Sequence, residues 1–114
     1  MRKIVGLTEE VTLMNTKLNF EKSTLARIDT GATRSSIDTD LAEKLGLGPI
    51  IKEKHVRNVY GSYLRPVIKA NIKIKDEIIE AEFTLADRSN MRYKILIGQN
   101  LLKKGNFLVD PCEE

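Results

Sequence analysis

The chain contains no tryptophan, one cysteine, one histidine and three prolines. The lone cysteine, Cys112, cannot close an internal disulfide, which excludes a disulfide-stapled scaffold and fits a reducing compartment. Thiol-nucleophile chemistry would have to bring this tail residue to His55, and an inert cysteine is the simpler reading. Protein zinc sites need three or four ligands, mostly His and Cys. With His55, Cys112 and no His-Glu-x-x-His run, no metal is expected. No Gly-Lys-Ser/Thr phosphate loop is present either, so no ATP site and no cofactor are expected. Aromatic residues make up 5% of the chain, which leaves no stacking platform for nucleic acid. The net charge of +3 is mild and spread out, and an acidic peptide would satisfy it as well as a phosphate backbone. No apolar run approaches the ~20 residues of a membrane span. The first seven residues lack the apolar core of a signal peptide, so a cytoplasmic protein is expected.

What is present is an ordinary globular mixture, 41% hydrophobic and 31% charged over 114 residues, enough for one domain spanning 1–114. Residues 2–7 and 10–14 read as short strands, Asn15 to Asn19 as a turn, and Ser23 to Ile28 as a strand. Asp40 to Gly46 reads as a short helix, with Asp40 and Glu43 at capping-box spacing. Lys54 to Val59 and Ser62 to Val67 flank Tyr60-Gly61-Ser62, a hairpin signal with glycine at its tip. Ile68, Ala70, Ile72 and Ile74 alternate with Lys69, Asn71, Lys73 and Lys75. Past a turn at Asp76-Glu77, Ile79, Ala81, Phe83 and Leu85 alternate with Glu80, Glu82 and Thr84. This period of two marks paired strands, with Lys and Glu free to meet on the outer face. A buried strand over Tyr93 to Ile97, a short helix over Asn100 to Lys104 and a last strand at Phe107 to Val109 complete the pattern. Many short strands and two small helices predict an all-β, barrel-like fold.

The chemistry concentrates at Leu25-Ala26-Arg27-Ile28-Asp29-Thr30-Gly31-Ala32, followed by a short strand-like piece at Ser35 to Ile37. An apolar strand delivers Asp29 into a turn of small residues. Thr30 can lock neighbouring backbone through its hydroxyl, and Gly31 allows close approach. Such a setting suits a carboxylate held still at the floor of a cleft, although Asp-Thr-Gly is also ordinary turn chemistry. A second element, Leu96-Ile97-Gly98-Gln99-Asn100, lies 69 residues after Asp29, counted to Gly98.

The two elements together resemble the aspartic peptidases of the retroviral type, in which an Asp-Thr-Gly-Ala turn is crossed by a later apolar-apolar-Gly segment. His55 to Ser62, Phe83 to Tyr93 and Phe107 to Pro111 extend the resemblance to most of the chain. They narrow it to the small retropepsin-like family labelled ATP-dependent zinc proteases, associated with ATP-grasp glutamate ligases. The resemblance implies a retropepsin-like acid-protease barrel and an aspartic endopeptidase. Because Asp38, Asp76, Asp87 and Asp110 lack the strand-to-glycine setting, the second carboxylate would come from a second copy, so a homodimer is implied. Asp29 would be catalytic, supported by Thr30 (bracing the two loops across the dimer), Gly31 and Ala32. The hairpin at Tyr60, Gly61 and Ser62 would be a flap over the substrate. The association with glutamate ligases implies a ligase partner and acidic, glutamate-tailed peptide or protein substrates. Arg34 and Arg57, among the arginines that also include Arg65, Arg88 and Arg92, would grip their carboxylates. The plain alternative for each arginine is a solvated basic surface.

The chain departs from these patterns. Thr33-Arg34 and Gln99 stand where retroviral peptidases usually place an ion-paired aspartate and arginine, so dimer support must differ. Relatives in the narrower family tend to carry a histidine where Asp38 stands and a basic residue at Gln99. These departures admit a second reading, a catalytically silent module of the same fold that grips a peptide or a partner ligase.

Overall fold

The computed structural model describes residues 2–113, apart from the Asn58 side chain. Nine strands and two short helices run through the described residues: β1 (Ile4–Val5), β2 (Thr8–Asn15), β3 (Phe20–Ile28), β4 (Ser35–Asp38), α1 (Thr39–Lys44), β5 (Ile50–Asn58), β6 (Gly61–Ile74), β7 (Glu77–Ala86), β8 (Ile95–Ile97), α2 (Gln99–Lys104) and β9 (Leu108–Val109). Seven strands form one sheet in the order β2-β3-β8-β4-β7-β6-β5, and β2 also pairs with β6. That extra pairing closes six strands into a barrel and leaves β5 outside it. A short parallel pair, β1 with β9, makes a separate two-stranded sheet.

The alternation along β6 and β7 sets which face closes on the core. Ile68, Ile72, Ile74 and Phe83 are wholly buried, whereas Lys69 and Lys73 are exposed. Leu13 from β2, Ile37 from β4, Ile95 and Ile97 from β8 and Leu101 from α2 fill the same core. Fully burying each such side chain contributes roughly 1.5–3 kcal/mol. On the outer face Lys69 stands opposite Glu82 in register, but the carboxylate bonds Lys52 of β5 instead, at 3.0 Å. That hydrogen bond is the main reason the Glu82 pKa lies below its usual value.

Several element limits differ from the sequence-based expectation, each for a tertiary reason. β3 starts at Phe20 rather than Ser23 because the β2–β3 ladder runs to the Asn15–Phe20 pair. The α1 helix is capped by Asp38, not Asp40: its Oδ2 accepts the Leu41 N–H. The cap was hidden because Asp38 is also the last residue of β4. The β6–β7 turn is Lys75-Asp76, both with positive φ as a two-residue hairpin turn requires. At the β5–β6 hairpin, Asn58 pairs with Gly61, so the tip is Val59-Tyr60 and Gly61 (φ 130°) already opens β6. β8 spans Ile95–Ile97 only; Lys94 before it still accepts the Asp38 N–H on its carbonyl at 2.8 Å, while its Nζ donates to the Ser89 and Arg88 carbonyls at 2.7 and 3.0 Å.

Candidate active site

Asp29 is placed by two strands. β3 pairs in parallel with β8 through Ile28 and Ile97, and the Asp29 N–H then donates to the Ile97 carbonyl at 2.9 Å. The ladder therefore ends on the aspartate itself, with its side chain half-buried at the rim of the barrel. Its Oδ1 accepts the Gly31 N–H at 2.9 Å, and the Ala32 N–H returns to the Asp29 carbonyl at 3.2 Å. Among the described residues Oδ2 has no hydrogen-bond partner, so one carboxylate oxygen is held and the other is open. A Cβ on Gly31 would stand 3.3 Å from Oδ1; glycine keeps the space beside the carboxylate clear.

The loop is crossed by the β8–α2 junction. A Cβ at Gly98 would collide with the Arg34 carbonyl and stand 2.8 Å from the Ala32 oxygen, so only glycine fits. The junction then stitches itself to the loop. The Gln99 and Asn100 N–H groups donate to the Ala32 and Thr33 carbonyls at 2.8 and 3.2 Å, and Gln99 Nε2 donates to the Thr30 carbonyl at 2.8 Å. Beneath them Ser35 Oγ accepts the Gly98 N–H (2.9 Å) and donates to Asn100 Oδ1 (2.7 Å), while Asn100 Nδ2 donates to the Glu82 carbonyl (2.9 Å). Ser35, Gln99 and Asn100 were not identified as support residues from the sequence, because contacts 63 to 69 residues apart leave no periodic trace.

The remaining residues singled out from the sequence separate into groups. Thr30 is exposed, and among the described residues its hydroxyl makes no hydrogen bond within the chain. Tyr60 and Val59 are almost fully exposed at the hairpin tip, and Gly61 and Ser62 continue into β6. Arg57 lies exposed on β5 opposite Ser62. Arg34 lines a hollow of about 350 Å³ with Glu82, Asn100 and Lys104. Arg65 packs over the Tyr63 ring and donates to its hydroxyl at 2.8 Å, and Arg92 packs over Tyr93.

Arg88 is held at two points in the loop after β7. Its Nε donates to the Tyr93 carbonyl at 2.9 Å and its N–H to Asp38 Oδ1 at 2.7 Å. Partial burial lowers its pKa first, followed by the Arg65 guanidinium; Arg27 acts the same way, while Asp38 and Asp29 oppose it. Arg88 therefore feels the charges of Arg65, Asp38, Arg27 and Asp29 together. His55 lies exposed on β5 opposite Leu64, and Cys112 is an exposed free thiol. No group of three or more His, Cys, Asp or Glu among the described residues is placed to hold a metal, and among them no helix is long and apolar enough to cross a membrane.

Three solved structures share this architecture. They are a Legionella pneumophila protein of unknown function, Lpg0085 (TM-score 0.66, 22% identity, 99% of this chain and 96% of that one), the simian foamy virus protease (0.62, 19%, 84% and 91%), and the EIAV protease in complex with an inhibitor (0.68, 20%, 90% and 90%). At these identities they establish the fold, a retropepsin-like barrel. The chain is also 32% identical over 92 residues to DNA damage-inducible protein 1 of Saccharomyces cerevisiae, covering 77% of this chain and 21% of that protein. It thus spans about a fifth of that relative's length. A family model described as the retropepsin-like aspartic endopeptidase RimB matches residues 38–114, a stretch that begins after Asp29; the ATP-dependent zinc protease label finds no counterpart among these matches. On that match the chain belongs to the RimB-like family of retropepsin-like aspartic proteases.

Proposed function

We propose that this protein is an aspartic endopeptidase whose site forms when two copies each contribute Asp29. The observation that carries the reading is the Asp29 carboxylate itself, with Oδ1 held by the Gly31 N–H and Oδ2 open at the barrel rim. Two such carboxylates brought together cannot both ionise, so they share one proton. The ionised member takes a proton from water, which attacks the scissile carbonyl, and the protonated member gives its proton to the carbonyl oxygen. Collapse of the tetrahedral species returns a proton to the leaving nitrogen and resets the pair. Its two apparent pKa values belong to the pair, and the pH–rate profile is bell-shaped.

A second copy suits the exposed Thr30 hydroxyl, which among the described residues lacks a partner within the chain and lies beside Asp29, where it can brace the two loops. The β5–β6 hairpin, with Tyr60 and Val59 at its tip and Gly61 and Ser62 behind them, is the flap that excludes water. Arg88, which feels Asp29 as well as the Arg65 and Arg27 guanidiniums, favours a substrate carrying carboxylates beside the scissile bond, with Arg57 on the flap as a further contact. Such substrates include glutamate-tailed peptides, the products of a ligase. The single free thiol fits a reducing, cytoplasmic setting.

The test is cleavage of a mixed peptide library containing glutamate-rich members, from pH 4 to 8, by wild type and Asp29→Asn. Wild-type products should fall at least about 10²-fold in the variant and resist a zinc chelator. Equal cleavage by both proteins would remove Asp29 from the mechanism. Peptide binding without cleavage by either would leave a binding module of the same fold.

A further inference from the structure

The peptide unit joining Thr30 to Gly31 is held at both ends. Its N–H donates to Asp29 Oδ1 at 2.9 Å, and its carbonyl accepts Gln99 Nε2 at 2.8 Å. A carbonyl can only accept, so the amide nitrogen of Gln99, not its oxygen, must face it. Because a peptide unit is planar, fixing the carbonyl fixes the direction of the N–H. Hydrogen bonds in such a chain also polarise one another, so a donor on the carbonyl makes the N–H at the other end a better donor. We infer that Gln99 is a positioning residue, which sets the orientation and hydrogen-bonding strength of the Gly31 N–H on the Asp29 carboxylate through the Thr30 carbonyl.

This inference rests on the proposed role of Asp29 for its catalytic meaning, but not for its geometry. The backbone bonds from Gln99 and Asn100 to Ala32 and Thr33 do not involve the Gln99 side chain. A substitution at 99 therefore leaves the crossing intact and removes only the side-chain donor. Among the described residues, Arg2 and Lys103 line the same hollow of about 320 Å³ as Gln99, and Asp29 stands at the other end of the bonded peptide unit. Neutral glutamine keeps its donor at every pH, so the device works across the range in which a carboxylate pair titrates.

The experiment follows Gly31 amide exchange by NMR from pH 4 to 8 in wild type, Gln99→Met and Gln99→Glu, with the Asn100 amide as the control for the crossing. Gln99→Met should speed Gly31 amide exchange by about tenfold, while the Asn100 amide keeps its protection. Gln99→Glu should match wild type where the introduced carboxyl is protonated and can donate to Thr30. It should depart further than Gln99→Met once that carboxyl ionises, with Arg2 and Lys103 drawing its ionisation to lower pH. In the peptidase assay kcat should fall in Gln99→Met while KM stays constant. Gly31 exchange rates unchanged in both variants would overturn the inference, as would equal changes in both at every pH. Faster Gly31 exchange in the variants of a protein whose wild type cuts no peptide would uphold the positioning and overturn the endopeptidase reading instead.

Discussion

A methyl group at residue 98 would fall on the Arg34 carbonyl and crowd the Ala32 oxygen, and neither is the flexible end of a side chain. Gly98→Ala must therefore push β8 away from the loop or distort both. The expected loss is about 1–3 kcal/mol of stability, read as a lower urea midpoint. Activity should fall more than stability alone explains, because the Asp29 N–H is bonded to Ile97, one residue earlier. Gly31 is different in kind, since a Cβ there would meet only the Asp29 carboxylate at 3.3 Å. The importance of Gly98 was legible in the sequence as an apolar-apolar-Gly segment. The role of Gln99 was not: its side chain meets a carbonyl 69 residues away, and from sequence it registered only as a departure.

Between β4 and α1 a single carboxylate serves two elements. Asp38 caps α1 through the Leu41 N–H and accepts the Arg88 N–H at 2.7 Å from the loop after β7. It is buried, so removing it strands two donors. Asp38→Ala is expected to lower stability by about 1–3 kcal/mol, measured by denaturant unfolding, and Asp38→Asn should lose less because it keeps one acceptor. The same substitution should loosen Arg88, whose guanidinium stands in the electrostatic neighbourhood of Asp29. The far end of α1 is closed from another element, where Asn15 Nδ2 donates to the Leu45 and Gly46 carbonyls at 2.8 and 3.0 Å. Strand alternation along β6 and β7 was readable because a period of two shows in any stretch of six residues. The cap and the hairpin tip were not, because each depends on the register at which a neighbouring strand ends.

At the scale of the whole molecule, the barrel closes through the β2–β6 pairing and leaves the hairpin of β5 and the first half of β6 outside it. One chain offers one Asp-Thr-Gly turn. If the site needs two, mixing wild type with excess Asp29→Asn should depress activity below the wild-type chain's own share, as mixed pairs carry one ionisable carboxylate. Activity per chain should also fall on dilution, in parallel with dissociation seen by sedimentation. Strict proportionality to wild-type chain at all ratios would show that each copy works alone.

The sequence by itself determined the all-β character, the alternating core of β6 and β7, and the pairing of the Asp29 turn with Leu96-Ile97-Gly98. These are written in spacing and residue type, which act locally or form a recognisable pair of motifs. Only the tertiary structure decided that Asp38 is a cap, that Arg88 feels Arg65, Arg27 and Asp29 at once, and that Gln99 holds the Thr30 carbonyl. Each of those follows from strand register and barrel closure, which bring distant residues together through backbone hydrogen bonds that every sequence can make and none spells out.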